Sequence, residues 1–293
     1  MILIDGKKVA AAKKEEIRKR VQKITSLTSF TPCLATILVG DDPSSKVYIA
    51  SKIKACQEVG IKSLHFNLPQ SSTKDEIIAQ IETLNRDRSV SAVLLQLPLP
   101  QDEMSNDCIR AIKPSKDVDG LHPYNAGRLM LAKNPQEAIF QSLLIPCTPV
   151  GIMGLIENQN IQMQGKNAVV IGRSNLVGKP IAVLLLLQGA TVTIAHSKTQ
   201  NLKEICKKAD IIVSAVGKAG LINRDFVKEG AVVIDVGISK NAEGKIKGDV
   251  DFESVKDMDI YLTPVPGGVG PMTIASLLEN TLKTFEKIVI EEN

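Results

Sequence analysis

The sequence predicts an α/β protein of two domains. Short runs of β-branched and apolar residues alternate with segments of helical length, as in βαβ units built around a parallel sheet. The chain of 293 residues is long for one hydrophobic core and fits two domains of ordinary size. Apolar residues make up 44% and charged residues 23%, which is typical of folded globular proteins and excludes a disordered or fibrous chain.

The first half of the chain is predicted to form three strands separated by two helices. Asp42 followed by Pro43 is typical of an N-cap with proline in the first helical turn, and Thr73 with Glu76 matches a capping box. In chain order the predicted elements are a strand from Cys33 to Val39, a helix from Pro43 to Val59, a strand from Ser63 to Leu68, a helix from Lys74 to Asn85 and a strand from Ala92 to Gln96.

A second βαβ series is predicted after a seam between Ile145 and Pro149, because two prolines within four residues interrupt the periodicity there. We therefore expect domains at residues 1–145 and 146–272, and a final helix within 273–293 that returns to the first domain. The predicted strands run from Asn167 to Ile171, Thr191 to Ala195, Ile211 to Ala215, Ala231 to Val236 and Tyr261 to Leu262, and the predicted helices from Val177 to Gln188 and Thr273 to Ile290.

Charge and composition argue against two classes of partner. The net charge is +4 with both signs intermixed, and three Tyr, six Phe and no Trp leave little for base stacking, so no nucleic acid partner is expected. Asp5 and two lysines follow too early for a signal peptide, and the most apolar run, from Ile181 to Leu187, is shorter than the roughly 20 residues of a membrane helix. We expect a soluble protein with no membrane partner.

The cysteines and histidines indicate neither disulfides nor a bound metal. Five cysteines stand far apart, are odd in number and form no C-x-x-C pair, which favours reduced thiols in the cytoplasm. Only three histidines are present and no H-E-x-x-H motif occurs, so we expect no metal.

A glycine-bearing turn after the strand that ends at Ile171 is the candidate cofactor site. Gly172 and Gly178 flank a tight strand-to-helix connection, which aims backbone N–H groups and a helix N-terminus at a pyrophosphate. The match to G-x-G-x-x-G is imperfect, because Ser174 replaces the middle glycine, and a turn without a ligand is the alternative. A Walker A motif is excluded, since five residues separate the glycines and Pro180 stands where Ser or Thr should be. The pattern predicts a Rossmann-type domain.

The end of the next strand favours NADP over NAD. An NAD enzyme places a carboxylate there to hold the ribose hydroxyls, whereas this strand is followed by His196 and Ser197 with no acid nearby. Together with Arg173 on the glycine turn, these groups suit a 2′-phosphate; a solvated polar loop is the alternative. Ile238, just after a later strand, is a candidate contact of the nicotinamide, although a buried aliphatic residue at a strand end is the more ordinary explanation.

The helix after the first strand carries a polar stripe. Tyr48 and Lys52 are spaced i, i+4 and Ser45 lies three residues before Tyr48, so the three share one face. Short-chain dehydrogenases also use Y-x-x-x-K, but there the pair follows the glycine motif, whereas here it precedes it. An exposed pair on a solvated helix is the alternative to a catalytic role.

Three further segments indicate a substrate site. Gln96 ends an apolar strand before a proline-rich exit, and Asp119 lies in a Lys-Asp-Val-Asp-Gly loop. The segment from Thr263 to Thr273 contains three prolines and three glycines, which mark a specially shaped loop of exposed amides. We expect this loop to form a substrate platform through Pro266, Gly267, Gly268 and Gly270.

Seven motifs, in one order and covering essentially the whole chain, resemble the bifunctional methylenetetrahydrofolate dehydrogenase/cyclohydrolase family. They are Y-I-A-S-K, V-L-L-Q-L-P-L-P, K-D-V-D-G, P-C-T-P, G-R-S-N-L-V-G-K-P, A-H-S-K-T and T-P-V-P-G-G-V-G-P-M-T. One departure is Ala219, where the family pattern predicts proline.

The resemblance implies an enzyme of one-carbon metabolism and purine biosynthesis that is usually a homodimer. In that family pattern Lys52 is the catalytic lysine with Tyr48 and Gln96 beside it, and Asp119 binds the pterin edge of a tetrahydrofolate derivative. It also implies NADP contacts from Arg173, Ser174, Ser197 and Ile238. Two alternatives stay open on the residues alone: a dehydrogenase resembling shikimate dehydrogenase, and a non-catalytic dinucleotide sensor.

Overall fold

The computed structural model describes residues 1–28, 30–134, 137, 144–240 and 244–292. The described residues form two compact units. The six-stranded unit contains the described parts of 1–11, 129–141 and 148–273, and the three-stranded unit contains those of 12–128, 142–147 and 274–293. Among the described residues, no helix combines the length and the hydropathy needed to cross a bilayer.

The strands and helices alternate along the chain, so the predicted α/β class is confirmed. The strands are β1 (Ile2–Leu3), β2 (Cys33–Val39), β3 (Lys62–Leu68), β4 (Ala92–Leu95), β5 (Asn167–Ile171), β6 (Thr191–Ala195), β7 (Ile211–Ser214), β8 (Val232–Asp235), β9 (Ser239–Lys240), β10 (Ile246–Lys247) and β11 (Tyr261–Leu262). The α-helices are α1 (Gly6–Thr28), α2 (Pro43–Val59), α3 (Lys74–Arg86), α4 (Ser105–Ala111), α5 (Pro123–Leu131), α6 (Cys147–Asn158), α7 (Gly178–Leu187), α8 (Leu202–Lys207), α9 (Phe252–Val255) and α10 (Val269–Glu292), with 3₁₀ turns at Asp102–Met104 and Arg224–Phe226.

The three-stranded unit is built on a parallel sheet in the order β3-β2-β4. All seven residues of the central strand β2 are buried, and six of them are apolar, with Thr36 as the exception. Such a near-continuous apolar run is typical of a strand covered on both faces. Both predicted helix caps are confirmed: the Asp42 side chain accepts from the backbone N–H of Ser45, and Thr73 and Glu76 form a reciprocal capping box. These caps fix where α2 and α3 begin.

The six-stranded unit has a parallel sheet in the order β1-β11-β8-β7-β5-β6. From β5 the chain passes to β6 on one side and then crosses to β7 on the other. This reversal makes a topological switch point between β5 and β7, and open α/β sheets bind ligands at the carboxyl ends of strands at such a point. Gly172 and Ala215 follow the two strands there.

The N-terminal boundary at residue 1 differs from the sequence-based division. Ile2 and Leu3 form a parallel strand with Tyr261 and Leu262, and Met1–Ala11 therefore belongs to the six-stranded unit. The backbone N–H of Ile2 donates to Ile260 O at 2.7 Å, which supplies the ladder contact that a two-residue strand needs. In the predicted seam, the division between the units falls between Cys147 and Thr148.

Candidate active site

Lys52 and Gln96 meet at the carboxyl end of β4. The Lys52 Nζ donates a hydrogen bond to Gln96 Oε1 at 3.0 Å, and the Gln96 Nε2 donates to Leu97 O at 2.7 Å. The Gln96 backbone N–H donates to Ile37 O at 2.9 Å, so the residue is fixed to β2 as well. Both side chains are half-buried. Lys52 is therefore held in place at a strand end, and its catalytic role stays a prediction.

Tyr48 and Ser45 lie on the same helix, α2, but in different surroundings. Tyr48, one turn before Lys52, is 39% exposed, and partial burial raises the pKa of its phenol. Ser45 is buried in the first turn, where its backbone N–H donates to Asp42 Oδ2 at 2.7 Å. The structure places Tyr48 at an accessible position and Ser45 in the cap of the helix; their predicted roles stay predictions.

The two carboxylates of the Lys-Asp-Val-Asp-Gly loop have different environments. Asp117 is buried and accepts hydrogen bonds from His122 N at 2.8 Å and from Asn125 Nδ2 at 2.8 Å. Burial raises the pKa of Asp117, and the Asn125 and backbone donors oppose that shift. Asp119 is only half-buried. Asp117 therefore holds the loop together, and Asp119 remains the acid that can reach a ligand.

A buried thiol lies beside this loop. The Cys147 Sγ donates to Val118 O at 3.4 Å, and burial raises its pKa well above the usual value. The nearby Asp119 carboxylate raises the Cys147 pKa further, whereas Lys52 lowers it. Lys52 and Asp119 thus act electrostatically on the same buried atom, which brings the two predicted site residues into one neighbourhood of the three-stranded unit.

Asn280 and Cys147 support the loop and were missed as functional residues. The Asn280 Nδ2 donates to Val118 O at 2.9 Å and to Ile145 O at 3.0 Å. The only sequence signal for Asn280 is an amide within the apolar stripe of α10. Such a residue is buried only with satisfied hydrogen bonds, so it predicts a structural contact without identifying the partner.

The glycine turn after β5 is shaped by close backbone contacts. Gly172 has φ +127°, and an added Cβ there would lie 2.6 Å from Ala215 O. An added Cβ at Gly178 would clash with Gly172 O. Ser174, which stands where the usual motif has glycine, accepts hydrogen bonds at its Oγ from Val177 N at 3.1 Å and Gly178 N at 3.3 Å. The turn is therefore set by two glycines and a serine cap, and Arg173 between them is exposed.

The loop after β6 presents hydroxyl and cationic groups to solvent. The His196 backbone N–H donates to Thr199 Oγ1 at 2.9 Å, and His196 Nδ1 accepts from Lys198 N at 3.2 Å. Ser197 and Lys198 are exposed. Ile238, after β8, is 51% exposed, so the alternative of a buried aliphatic residue is wrong. An exposed apolar side chain at a strand's carboxyl end fits contact with a flat cofactor ring.

A buried pair of carboxylates joins the loops that follow the strands of the six-stranded unit. Asp249 accepts from Ser214 Oγ at 2.8 Å, Val216 N at 2.9 Å and Lys218 N at 2.7 Å. Asp235 in turn accepts from Asp249 N at 2.9 Å, and burial raises the pKa of Asp235 to about 6. No sequence motif marks this pair, although Asp235 is an acid at the end of an apolar strand.

The proline-glycine loop is shorter than the sequence predicts. α10 begins at Val269, so Gly270 lies in the first helical turn, and an added Cβ there would meet no atom within 4 Å. Gly267 has φ +112°, and its carbonyl accepts from Lys7 N at 3.1 Å. An added Cβ at Gly268 would lie 2.7 Å from Pro264 O, and Pro266 is exposed. The positive φ at Gly267 and the close backbone contact at Gly268 therefore favour glycine at these positions, whereas no contact among the described residues requires glycine at Gly270.

The fold and the site define a dehydrogenase that joins a lysine-bearing α/β unit to a Rossmann-type nucleotide-binding unit. The family model for the catalytic domain of tetrahydrofolate dehydrogenase/cyclohydrolase matches residues 4–119, and the one for its NAD(P)-binding domain matches residues 146–289. The chain belongs to the tetrahydrofolate dehydrogenase/cyclohydrolase family. This confirms the predicted family and enzyme class, and it excludes the shikimate dehydrogenase and sensor alternatives.

Individual relatives agree along nearly the whole chain. The bifunctional protein FolD of Halalkalibacterium halodurans is 49% identical over 98% of this chain and 99% of its own. The crystal structure of the bifunctional FolD methylenetetrahydrofolate dehydrogenase/cyclohydrolase from Campylobacter jejuni has a TM-score of 0.92 at 48% identity, covering 98% of this chain and 99% of that one. The Trypanosoma brucei enzyme, solved in complex with NADP and an inhibitor, has a TM-score of 0.92 at 35% identity, covering 99% and 98%.

Proposed function

We propose that this protein oxidises 5,10-methylenetetrahydrofolate to 5,10-methenyltetrahydrofolate with NADP and hydrolyses the product to 10-formyltetrahydrofolate. The observation that carries the proposal is the hydrogen bond from Lys52 Nζ to Gln96 Oε1 at the end of β4, in the same neighbourhood as Asp119. A lysine held by an amide beside a carboxylate provides both a proton-transfer group and a folate anchor.

The cofactor site fits a dinucleotide with a 2′-phosphate. An added Cβ at Gly172 would clash with Ala215 O, so the turn depends on glycine there. The Ser174 Oγ accepts from Val177 N and Gly178 N and keeps its own proton to donate to a pyrophosphate oxygen. Ser197 and Arg173 would hold the 2′-phosphate, and Ile238 would contact the nicotinamide. NADP held by these residues would supply the acceptor for a hydride from the substrate methylene. Loss of that hydride gives a cation stabilised by two nitrogens, so the protein has to orient the reactants but need not remove a proton.

Hydrolysis, in contrast, depends on proton transfer. Water adds to the methenyl carbon and loses its protons, the bond from that carbon to one ring nitrogen breaks, and that nitrogen gains a proton, with net release of one proton. Lys52 Nζ donates one N–H to Gln96 Oε1, which fixes the end of the side chain where the proposed substrate and water would bind. Lys52 would accept and return the proton, while the Tyr48 hydroxyl helps to orient the water.

Asp119 would bind the amino and ring N–H groups of the pterin, because a carboxylate accepts two parallel hydrogen bonds from such an edge. Ser45 and the platform residues Pro266, Gly267, Gly268 and Gly270 complete the proposed substrate site. Gly172, Ser174 and His196 complete the proposed cofactor site.

We also propose a setting for the enzyme. A cytoplasmic homodimer in one-carbon metabolism and purine biosynthesis is what the family resemblance supports. The five cysteines are buried free thiols, which agrees with a reducing compartment. The intermixed surface charge supports a protein without nucleic acid or membrane partners.

The test is the Lys52→Met variant, assayed separately for methenyl formation and for methenyl hydrolysis. Hydrolysis should fall by on the order of a hundred- to ten-thousandfold, the usual contribution of a general acid or base, while hydride transfer keeps a measurable part of its rate. Lys54→Met is the control, because Lys54 is an exposed lysine on the same helix. If hydrolysis survives in Lys52→Met and hydride transfer collapses, the role proposed for Lys52 is wrong.

A further inference from the structure

A cavity of about 290 Å³ in the three-stranded unit is lined by four cationic side chains and, among the described residues, by no acidic one. Its walls come from the loop at residues 113–115, from α5 and from the C-terminal half of α10. The cations are Lys113, Arg128, Lys283 and Lys287. We call it the Lys283 cavity. The proposed folate and NADP contacts do not include these residues.

Lys283 is the residue on which the argument depends, because it is half-buried and its ammonium group has no hydrogen bond or ion pair among the described residues. Within the part of the chain that the structure describes, its Nζ makes no hydrogen bond or ion pair. Glu279 and Glu286 lie on the same helix, but Arg20 holds both, with Nη1 2.8 Å from Glu279 Oε1 and Nη2 2.8 Å from Glu286 Oε2. A partly buried charge is costly unless a counter-charge is close, so the site favours an anion.

The electrostatics of Lys283 agree with this geometry. Burial lowers the pKa of Lys283, and repulsion from Lys13 and Arg20 lowers it further, against the opposing pull of Glu279 and Glu286. An anion in the cavity would oppose both effects, because it would place a negative charge in direct contact with the Lys283 ammonium.

The other cations give the cavity the geometry of an oxyanion site. The Arg128 guanidinium lies over the Tyr124 ring, 5.8 Å from its centroid, which restricts the orientation of its planar fork. Lys113 is exposed on the opposite loop, and its Nζ has no partner among the described side chains. An oriented arginine with long, flexible lysine side chains around it matches phosphate or carboxylate groups.

We infer that the Lys283 cavity binds a small molecule that carries two or more phosphate or carboxylate groups. A neutral ligand would leave the Lys283 ammonium without a direct anionic partner, and a metal cation would be repelled by the cationic side chains that line the cavity. Lys283 and Lys113 both line the cavity without a side-chain partner among the described residues, so a ligand with two anionic groups matches both. The cavity is therefore a second anion site, separate in its residues from the proposed dinucleotide site.

The test is titration calorimetry of the NADP-saturated protein with pyrophosphate and, separately, with citrate, at ionic strength held constant with chloride. Saturating NADP occupies the proposed dinucleotide site, which would otherwise bind these probes as well. We expect saturable binding of at least one probe with one site per chain. The tighter of the two probes distinguishes phosphate from carboxylate recognition.

Variants assign the binding to the cavity. Lys283→Met should weaken the Kd by about tenfold or more, and Lys283→Arg should retain binding, because one charge-assisted contact is lost or kept. Lys113→Met lies on an exposed loop and should also weaken binding, which keeps the test decisive if Lys283→Met does not fold. Lys23→Met, an exposed position on α1, is the control and should bind as the unmodified protein does. Two results would overturn the inference. One is heats of binding that do not saturate. The other is an equal Kd for the control Lys23→Met and for all three cavity variants, Lys113→Met, Lys283→Arg and Lys283→Met.

Discussion

Replacing Asp249 by asparagine should loosen the strand-end loops of the six-stranded unit. Asp249 is fully buried, and its two oxygens accept three hydrogen bonds from groups on one neighbouring segment. Oδ2 accepts from Ser214 Oγ and Val216 N, and Oδ1 accepts from Lys218 N. Asparagine has one acceptor oxygen and one NH₂ group. Whichever way the amide turns, at least one backbone donor then faces another donor.

The cost can be derived from this contact list. The best orientation of the introduced amide keeps its oxygen opposite Ser214 and Val216 and leaves Lys218 N unsatisfied. Losing one hydrogen bond to a charged acceptor and stranding its donor costs about 2–4 kcal/mol, and the gain from removing a buried charge offsets part of it. We expect the free energy of unfolding in urea to fall by about 2 kcal/mol or more, and the KM for NADP to rise, because the loop after β7 lies at the switch point.

Asp251→Asn is the matched control for this experiment. Asp251 lies two residues away, is exposed, and its side chain makes no capping hydrogen bond to α9. The Asp251→Asn substitution therefore removes one negative charge from the same segment without breaking a buried contact. Equal unfolding free energies for Asp249→Asn and Asp251→Asn, with unchanged KM for NADP in both, would refute the positioning role of Asp249.

Three further predictions concern the same unit. Burial raises the pKa of Asp235 from 3.8 to about 6, so its favourable contribution to stability is complete below about pH 4 and is lost as the pH rises through 6. Asp235→Asn should therefore remove about 3 kcal/mol of pH dependence between pH 4 and 7 from the unfolding free energy; parallel pH profiles would contradict this. Gly172→Ala should lower Tm and NADP affinity more than Gly165→Ala, because both positions have positive φ but only Gly172 would clash, with Ala215 O at 2.6 Å. Equal effects of the two substitutions would show that the close approach is unimportant. Ser197→Asp should weaken NADP binding about ten- to a hundredfold in fluorescence titration and leave NAD binding nearly unchanged; an unmodified enzyme that prefers NAD would contradict the assignment.

The central elements of both units are predictable from the sequence, because local signals and burial agree there. β2 and α2 begin and end where the apolar run, the Asp42 cap and the prolines indicate. β1 is different: a strand of two exposed residues has neither periodicity nor length, and only its partner β11 defines it. No local rule could have assigned Met1–Ala11 to the six-stranded unit.

The start of α10 shows how the same residue supports two interpretations. Pro271 and its glycine neighbours indicate a loop, and the sequence pattern predicts a helix start at Thr273. The helix begins at Val269, so Pro271 lies in the first turn, where the missing N–H has no intrahelical acceptor to lose. A proline near the start of a helix therefore indicates approximately where the helix begins, but it does not identify the first helical residue.

The sequence names the candidate site residues one by one, but it does not predict the contact between Lys52 and Gln96. Lys52 and Gln96 are 44 positions apart, and their contact depends on the parallel pairing of β2 with β4, which brings the end of β4 beside α2. The different environments of Asp117 and Asp119 could not be predicted from the sequence either, because both are acids on one short loop. Burial alone separates them: the buried acid holds the loop, and the half-buried one stays available to a ligand.

Ser174 explains why the cofactor turn departs from the usual glycine pattern. In a G-x-G-x-x-G turn the middle glycine lets backbone approach the pyrophosphate. Here the Ser174 Oγ accepts from Val177 N and Gly178 N, so a side chain fixes the last residues before α7 and the two outer glycines supply the close approach. The serine hydroxyl keeps its own proton for an acceptor such as a phosphate oxygen. The substitution that weakened the motif in the sequence therefore adds a donor to the turn, and an alanine at this position should lose the cap and that donor together.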